Sequence, residues 1–223
     1  MLIRFRTLGL ALIGCLVTSP VLAEGNWNSS VVLSAGYANE KDACTSPVVT
    51  TQYYPGATCL EKHSVFRFAY DYQFNRILGL EISYGDLAKA QASGTAMLDG
   101  YPGAWKMKAN GWAIAATGTV PMGGGLSLKG KIGGVRAEFD ESMTTYCGSC
   151  ASPGEYYLMD PYRLHTAKGG LTYGLGLQYD FNKTYAIRAQ YENFGKYTFI
   201  HPYDGSTLKM SLSQVSAGFV LMF

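Results

Sequence analysis

The chain has 223 residues, of which 13% are aromatic and 15% are charged, with 18 basic and 16 acidic side chains. This nearly balanced charge argues against a nucleic-acid partner, because such proteins carry a basic excess or a basic stripe. Beyond the N-terminal region, no segment is apolar over the about 18 residues that a membrane helix needs. The composition leaves two classes, a secreted β protein and a β-barrel of a membrane.

The N-terminus has the pattern of a secretory signal peptide. Two arginines precede an apolar run from Leu8 to Val17, and small residues follow up to Ala23. Such a segment is removed on export. We predict a cleaved signal peptide over residues 1–23 and one domain over residues 24–223. Acylation of Cys15 is a weaker alternative, because the apolar run continues past this cysteine.

Four cysteines follow the signal peptide: Cys44, Cys59, Cys147 and Cys150. An even number of cysteines in an exported chain indicates disulfides. Among the three possible pairings, Cys44–Cys59 together with Cys147–Cys150 comes first. A zinc site is the alternative, but no second pair of ligands has suitable spacing. We expect neither a metal nor a cofactor.

Eight segments alternate apolar and polar residues at every second position, as half-buried β-strands do. The clearest segments are residues 65–74, 78–87, 171–181 and 185–194. The weaker segments are residues 29–38, 111–120, 126–134 and about 209–223. In the last segment the apolar residues change parity near Ser213, and a β-bulge there would restore the pattern.

The connections between these segments alternate in length. Tight turns are predicted at Asn75, Pro121 and Asn182, and long polar stretches at residues 39–62, 88–104, 140–163 and 195–207. Transmembrane barrels have short periplasmic turns and longer extracellular loops. The pattern predicts an all-β fold, an eight-stranded antiparallel transmembrane barrel. A lipocalin-like soluble barrel is disfavoured, because water would not tolerate the continuous aromatic face.

The chain ends on an apolar strand. In hydrocarbon every backbone polar group needs a partner, so the last strand should pair with the first. We expect Phe223 at the periplasmic interface, within a girdle of aromatic residues. Tyr37, Tyr84, Trp105 and Tyr197 are expected in the corresponding upper girdle.

Three segments resemble the OmpA-like transmembrane domain family: residues 70–87, residues 177–197 and the terminal AGFVLMF. The resemblance implies a Gram-negative outer-membrane protein with its loops at the cell surface. It also implies that the barrel-assembly machinery reads Phe223 as an assembly signal. The family's archetype has a further periplasmic domain that binds peptidoglycan. Since the sequence ends at Phe223, we expect a small barrel without that role.

Eight charged residues have the parity of the barrel interior: Arg67, Asp71, Glu81, Lys129, Lys131, Asp180, Arg188 and Glu192. Eight strands leave an interior that side chains can fill. Buried charges are tolerated only when they are paired. We therefore predict a lumen plugged by paired charges. The alternative is a narrow, low-conductance porin that conducts through the same groups.

Catalysis is not indicated by the sequence. Nucleophilic hydrolysis needs a serine close to a histidine base, and no spacing requires such a contact for His63, His165 or His201. We expect no enzyme activity, and a lipid-modifying enzyme is the least favoured alternative.

The predicted loops are rich in tyrosine, proline and glycine. Tyrosine is enriched in recognition surfaces, so the candidate binding residues are Tyr53, Tyr54, Tyr156 and Tyr157. A Cys44–Cys59 disulfide would stabilise the first loop by about 3 kcal/mol in the chain-entropy model. The leading hypothesis is a structural and surface-interaction role, with a host or other extracellular ligand at the loops. Outer-membrane lipid and lipopolysaccharide would surround the barrel.

Overall fold

The computed structural model describes residues 29–41, 43–44, 58–95, 102–147, 157–158, 162–200 and 207–223. Its strands are β1 (Ser29–Lys41), β2 (Thr58–Leu60), β3 (Lys62–Gln73), β4 (Leu78–Thr95), β5 (Pro102–Gly123), β6 (Leu126–Cys147), β7 (Tyr157–Leu158), β8 (Tyr162–Asp180), β9 (Tyr185–Ile200) and β10 (Thr207–Met222). Eight long strands form the barrel, and the short β2 and β7 pair with its extracellular end. Within the described ranges no helix is long and apolar enough to cross a membrane.

The barrel is closed, and every neighbouring pair of strands is antiparallel, which confirms the predicted fold. The last strand, β10, pairs with β1 along almost its whole length, and β4 pairs with β5. At the seam between the termini, the backbone N–H of Phe223 donates to the carbonyl oxygen of Ser29 at 2.9 Å. The final residue is therefore bonded to the first strand, as the hydrocarbon environment requires.

The strand register fixes the tilt of the barrel. One path of directly paired residues runs once around the wall: Asn39, Ser213, Asn193, Tyr173, Ile132, Ala116, Leu80, Tyr72 and Ser29. It starts at Asn39 and returns to the same strand ten residues lower, at Ser29. A stagger of ten residues over eight strands tilts the strands by about 40° from the barrel axis. Residues at the same height on two neighbouring strands are therefore offset from direct pairing by slightly more than one position.

A belt of exposed apolar side chains surrounds the barrel. Its upper row comprises Tyr37, Phe66, Tyr84, Trp112, Leu171, Tyr191 and Val215. Its lower end carries the aromatic residues Phe74, Phe181, Tyr185 and Phe223. Such a band with aromatic borders is the lipid-facing surface of a transmembrane barrel. The predicted girdle positions of Tyr37, Tyr84 and Phe223 agree with this belt.

Above the belt the strands continue much farther than predicted from the sequence. Residues 88–104 and 140–163 were predicted as loops, yet β4 reaches Thr95, β5 begins at Pro102 and β6 reaches Cys147. The prediction was wrong because the apolar residues change sides at the upper edge of the belt. On β5, Trp105 and Met107 point inward, whereas the lysines between and after them are exposed. The outer face meets water there, so the apolar face turns inward.

Two further expectations are corrected by this inversion. Trp105 and Tyr197 are buried inside the extracellular part of the barrel and do not belong to the upper girdle. The expected bulge near Ser213 lies on the opposite strand, where Phe194 of β9 is the extra residue. The even-numbered residues of β10 face inward along its whole length. Its apolar residues change parity because they leave the outer face for the inner one.

The ladder is interrupted at two places, which begin at the upper row of the belt and extend above it. Direct pairing of β3 with β4 stops at Arg67 and Gly85, and β2 resumes it only at Leu60 and Gln91. Pairing of β8 with β9 ends at Tyr173 and Asn193. The upper wall is therefore divided into a first sheet, β3-β1-β10-β9, and a second sheet, β4-β5-β6-β8. We call this two-sheet part the extracellular extension.

The two sheets of the extension pack face to face. Cα atoms of β4 come within 8 Å of β1 and β10 across the interior. The core between the sheets combines small residues, mainly alanines of β4 and β5, with large ones: Leu87, Trp105, Met107, Phe139, Phe194, Tyr197, Phe199, Leu208, Met210 and Leu212. The eight-stranded barrel of the membrane thus becomes a β-sandwich with an apolar core above it.

Truncation of Phe139 tests this core. Its ring is 2% exposed and lies edge-on to the rings of Tyr197 and Phe199, at centroid distances of 5.0 and 4.7 Å. Phe139→Ala should lower the free energy of unfolding in detergent micelles, measured with urea, by about 3 to 5 kcal/mol. The control Glu138→Ala, on the exposed face of the same strand, should change it by less than about 0.5 kcal/mol. Equal unfolding midpoints for both variants would contradict a packed extension.

Candidate functional site: the filled lumen and the base of the first loop

The part of the lumen within the membrane contains a network of ion pairs. Arg188 of β9 lies at its centre, where its Nη2 is 2.5 Å from Oδ2 of Asp71 and its Nη1 is 3.3 Å from Oε2 of Glu81. Nζ of Lys129 lies 3.5 Å from the same oxygen of Asp71. These four residues come from β3, β4, β6 and β9, so the contacts cross the interior of the barrel.

A second part of the network joins the same strands at a higher level. Nζ of Lys131 lies 2.7 Å from Oε1 of Glu81 and 2.6 Å from Oε1 of Glu192. Glu192 also accepts a bond from Nη1 of Arg67 at 3.1 Å. The other nitrogen of this guanidinium, Nη2, donates to the hydroxyl of Ser83 at 2.6 Å. Seven of the eight predicted lumen charges therefore form one connected network.

Asp180 is the predicted charge that this network does not include. It lies at the periplasmic mouth, where its Oδ1 accepts a bond from Nε2 of Gln178 at 2.7 Å. Gln178 in turn accepts bonds from Arg188 through Oε1. Gln178 was not among the predicted lumen residues, although its inward parity between Gly176 and Asp180 marks it as one.

Apolar side chains close the lumen above the network. The extra residues of the two bulges on β4 and β9 are Leu87 and Phe194, and both are fully buried. The ring of Phe194 lies 4.8 Å from the guanidinium carbon of Arg67. This distance permits a cation–π interaction with a charge that is already paired.

Below the network the lumen opens to the periplasmic side. A cavity of about 820 Å³ lies among the turn residues and ends at Lys129 and Gln178. Within the network a cavity of about 10 Å³ lies between Glu81, Lys129, Lys131 and Arg188. Such a volume is at the lower limit for one water molecule. Paired charges thus occupy the lumen at the level of the network, and the apolar core of the extension occupies it above.

Neutralisation of one acid tests whether the ion pairs are coupled. Glu192→Gln removes the charge that faces both Arg67 and Lys131 and should lower the free energy of unfolding by about 3 to 5 kcal/mol. The matched control Asp180→Asn alters an inward acid outside the network and should cost much less. Urea titration in detergent micelles measures both. Equal losses of unfolding free energy in the two variants would show that ion pairing in the network adds nothing to stability beyond the burial of the side chains.

A second polar cluster lies at the base of the first loop, above the belt. Glu40 of β1 is fully buried, and its Oε1 accepts a bond from the backbone N–H of Lys89 at 2.8 Å. The N–H belongs to the stretch of β4 that does not pair with β3. The carboxylate therefore replaces a missing partner in the ladder. The inward parity of Glu40 with Val32 and Ala38 would have identified this residue.

The same cluster holds the disulfide. The backbone N–H of Glu40 donates to the carbonyl oxygen of Glu61 at 2.9 Å, and Oε1 of Glu61 accepts a bond from the backbone N–H of Cys44 at 2.8 Å. Cys44 and Cys59 are disulfide-bonded, as predicted. Of the other predicted pair, Cys147 ends β6, and Cys150 lies outside the described residues.

Burial raises the pKa of Glu40 to about 7, despite the hydrogen bond from Lys89 that favours the ionised form. Burial and the nearby Lys89 lower the pKa of His63, which faces the same cluster. A carboxyl with a raised pKa stabilises the fold below its unfolded pKa, near 4.5, and loses this contribution as the pH rises toward 7. Glu40 should therefore make the protein less stable at pH 8 than at pH 5.

Replacement by glutamine isolates this effect, because Glu40→Gln keeps the acceptor oxygen for Lys89. The loss of unfolding free energy between pH 5 and pH 8 should be up to about 3 kcal/mol smaller in the variant than in the wild type. Urea midpoints at the two pH values give this difference. The control Glu138→Gln changes an exposed acid and should leave the wild-type pH dependence intact. An unchanged slope in Glu40→Gln would contradict a titrating buried carboxyl.

The remaining predicted residues occupy separate places. Tyr157 lies in β7, which pairs with the end of β6, whereas Tyr53, Tyr54, Tyr156 and His201 lie outside the described residues. Nδ1 of His165 lies 2.8 Å from Oδ1 of Asp140 on the exposed surface. Over the ranges that the structure describes, no three His, Cys, Asp or Glu residues are placed to hold a metal ion.

The closed barrel, its lipid-facing belt and its filled lumen define a transmembrane β-barrel of the outer-membrane type. The chain belongs to the outer membrane protein beta-barrel domain family, whose sequence model matches residues 8–223. It is an outer-membrane protein of a Gram-negative bacterium. The family and the fold confirm the predicted class and location.

Two of the matching solved structures support this fold at low sequence identity. The outer membrane protein OprG from Pseudomonas aeruginosa is 14% identical with a TM-score of 0.54, and the match covers 89% of this chain and 98% of OprG. The outer membrane protein AlkL is 11% identical with a TM-score of 0.50, and the match covers 92% and 95% of the two chains. Ail of Yersinia pestis, the attachment invasion locus protein, is 20% identical with a TM-score of 0.38 over 86% and 99%. No curated protein matches the sequence.

Proposed function

We propose that this protein is a non-enzymatic surface-interaction barrel, whose rigid extracellular extension carries ligand-binding loops. The observation that carries this proposal is the filling of the interior at both levels. Charged pairs occupy the lumen within the membrane, and an apolar core occupies the extension. A barrel filled in this way is suited to support, with its specificity in the loops.

The length of the extension supports the same proposal. On β5, ten residues separate Trp112, in the upper row of the belt, from Pro102. At a rise of about 3.3 Å per residue and a tilt of about 40°, this distance corresponds to roughly 25 Å above the hydrocarbon. The apolar core and the disulfide would hold the loops at this height. A ligand on another cell or in the medium could then contact them beyond the lipid headgroups.

The candidate ligand contacts are Tyr53, Tyr54, Tyr156 and Tyr157. Tyrosine provides large contact area at low entropic cost, and such residues serve protein and glycan recognition. We therefore infer an extracellular protein or glycan as the partner. Assembly through the barrel-insertion machinery, with Phe223 as its signal, belongs to the same proposal. The aromatic ring of Phe223 lies at the lower border of the belt.

A cell-binding assay tests the loop proposal. A non-adherent Gram-negative host that displays the wild-type protein should bind epithelial cells or immobilised matrix proteins, and replacement of the four tyrosines by serine should reduce binding at least about tenfold. The control replaces Tyr37 and Tyr191, two belt tyrosines, by phenylalanine and should bind as the wild type does. Surface display is verified by antibody labelling. Undiminished binding by the tyrosine-to-serine variant would place the function elsewhere.

The periplasmic cavity favours a second candidate, a narrow low-conductance porin. This cavity reaches from the periplasmic turns to the charge network. Lys129 lines both this cavity and the small one inside the network. A rearrangement of the ion pairs would then open a path. The packed core of the extension above Phe194 opposes such a path, so this function ranks second.

A further inference from the structure

Four lysines lie at one height on neighbouring strands, just above the belt. We call them the cationic row; they are Lys41 of β1, Lys62 of β3, Lys89 of β4 and Lys108 of β5. Lys62 lies two outward positions above Phe66, which belongs to the upper row of the belt. The row is thus about 10 Å above the edge of the hydrocarbon, at the level of the lipid headgroups.

The acids near the cationic row compensate it only in part. Lys89 and Lys108 are direct cross-strand partners, an arrangement of like charges that is unfavourable without an anion. Asp86 lies 3.5 Å from Nζ of Lys89. Asp140 is the cross-strand partner of Lys108, but its carboxylate contacts His165. Across the described residues, Lys41, Lys62 and Lys108 have no carboxylate within ion-pair distance. The row is therefore suited to bind an external anion.

An apolar groove of about 980 Å³ runs across the belt directly below this row. Its floor is a line of paired small residues, Ala35 of β1, Ala217 of β10 and Ala189 of β9. A parallel line of large residues, Leu33, Phe219 and Ile187, borders it. Because the strands are tilted, the groove rises toward β3 and ends at Phe66 and Tyr84. This upper end lies under Lys62.

From this geometry we propose that the barrel binds one phosphorylated glycolipid of the outer leaflet as a specific ligand. An acyl chain lies in the alanine groove, and a phosphate of the headgroup lies on the cationic row. The groove faces hydrocarbon, so its occupant is a lipid chain. The upper end of the groove opens toward the outer leaflet, and the lysines select lipids with negative charge. The site is separate from the loop tyrosines.

Lipid titration followed by native mass spectrometry of the detergent-solubilised protein tests the proposal. The probes are purified lipid A, the same lipid after removal of its phosphates, and phosphatidylglycerol. One copy of lipid A should remain bound at concentrations at which the other two dissociate. The triple variant Lys62→Gln, Lys89→Gln and Lys108→Gln should weaken lipid A binding at least about tenfold, since each lysine contributes to phosphate attraction. Retention of the dephosphorylated lipid or of phosphatidylglycerol with equal affinity would overturn the proposal.

Matched variants separate the site from general charge and hydrophobicity. Lys183→Gln removes an exposed cation of a periplasmic turn, at the other end of the barrel, and should bind as the wild type does. Ala217→Phe fills the groove and should weaken binding, whereas Ala116→Phe, on the lipid face of β5 outside the groove, should not. Folding of each variant is checked by its heat-dependent mobility on a gel. Equal effects of Ala217→Phe and Ala116→Phe, or of the two lysine variants, would contradict a defined site.

Discussion

Within the hydrocarbon, each backbone amide and carbonyl of this chain needs a partner in the chain itself, because lipid tails offer none. This constraint closes the barrel between β1 and β10 and bonds Phe223 to Ser29. Above the belt the constraint is relaxed, because water can satisfy an unpaired edge. The two interruptions of the ladder, at β3–β4 and β8–β9, begin at the upper row of the belt and extend above it. The interruption at β3–β4 would leave the backbone N–H of Lys89 buried without a hydrogen-bond partner. The carboxylate of Glu40 accepts a hydrogen bond from it instead.

The change of solvent along the strands also decides what fills the interior. In the membrane the outer face takes the apolar residues, and the inner face carries charges that satisfy one another across a small lumen. In the extension the outer face is polar, and the inner face builds an apolar core of alanine and aromatic side chains. Phe194 lies where the two interiors meet, in contact with Arg67 below and the core above. The two fillings together suit the barrel to the supporting role proposed above.

The alternating pattern of the sequence predicted the membrane-spanning part of the barrel, where the outer face of every strand contacts lipid. Alternation of apolar and polar residues identified all eight strands, and the inward parity of Arg67, Asp71 and Arg188 placed them in the lumen, where the structure has them. Prediction failed where the apolar residues change faces, because Trp105 and Met107 continue a strand with the opposite polarity. Parity also could not distinguish Asp180 from the other acids, since contacts across the lumen depend on height and side-chain reach. The parity of Glu40 indicates only that it faces inward, because its hydrogen bond to Lys89 arises from a gap in the pairing of two other strands.

Single-channel recording in a planar bilayer tests the central claim, that the interior is filled from the charge network to the extracellular core. The purified protein is reconstituted, and its insertion is verified by protease protection and by the heat-dependent mobility of the recovered barrel. A filled interior should give no discrete current steps over the accessible voltage range. Reproducible, voltage-dependent steps would contradict it, because ions would then pass both the network around Arg188 and the packed core above Phe194.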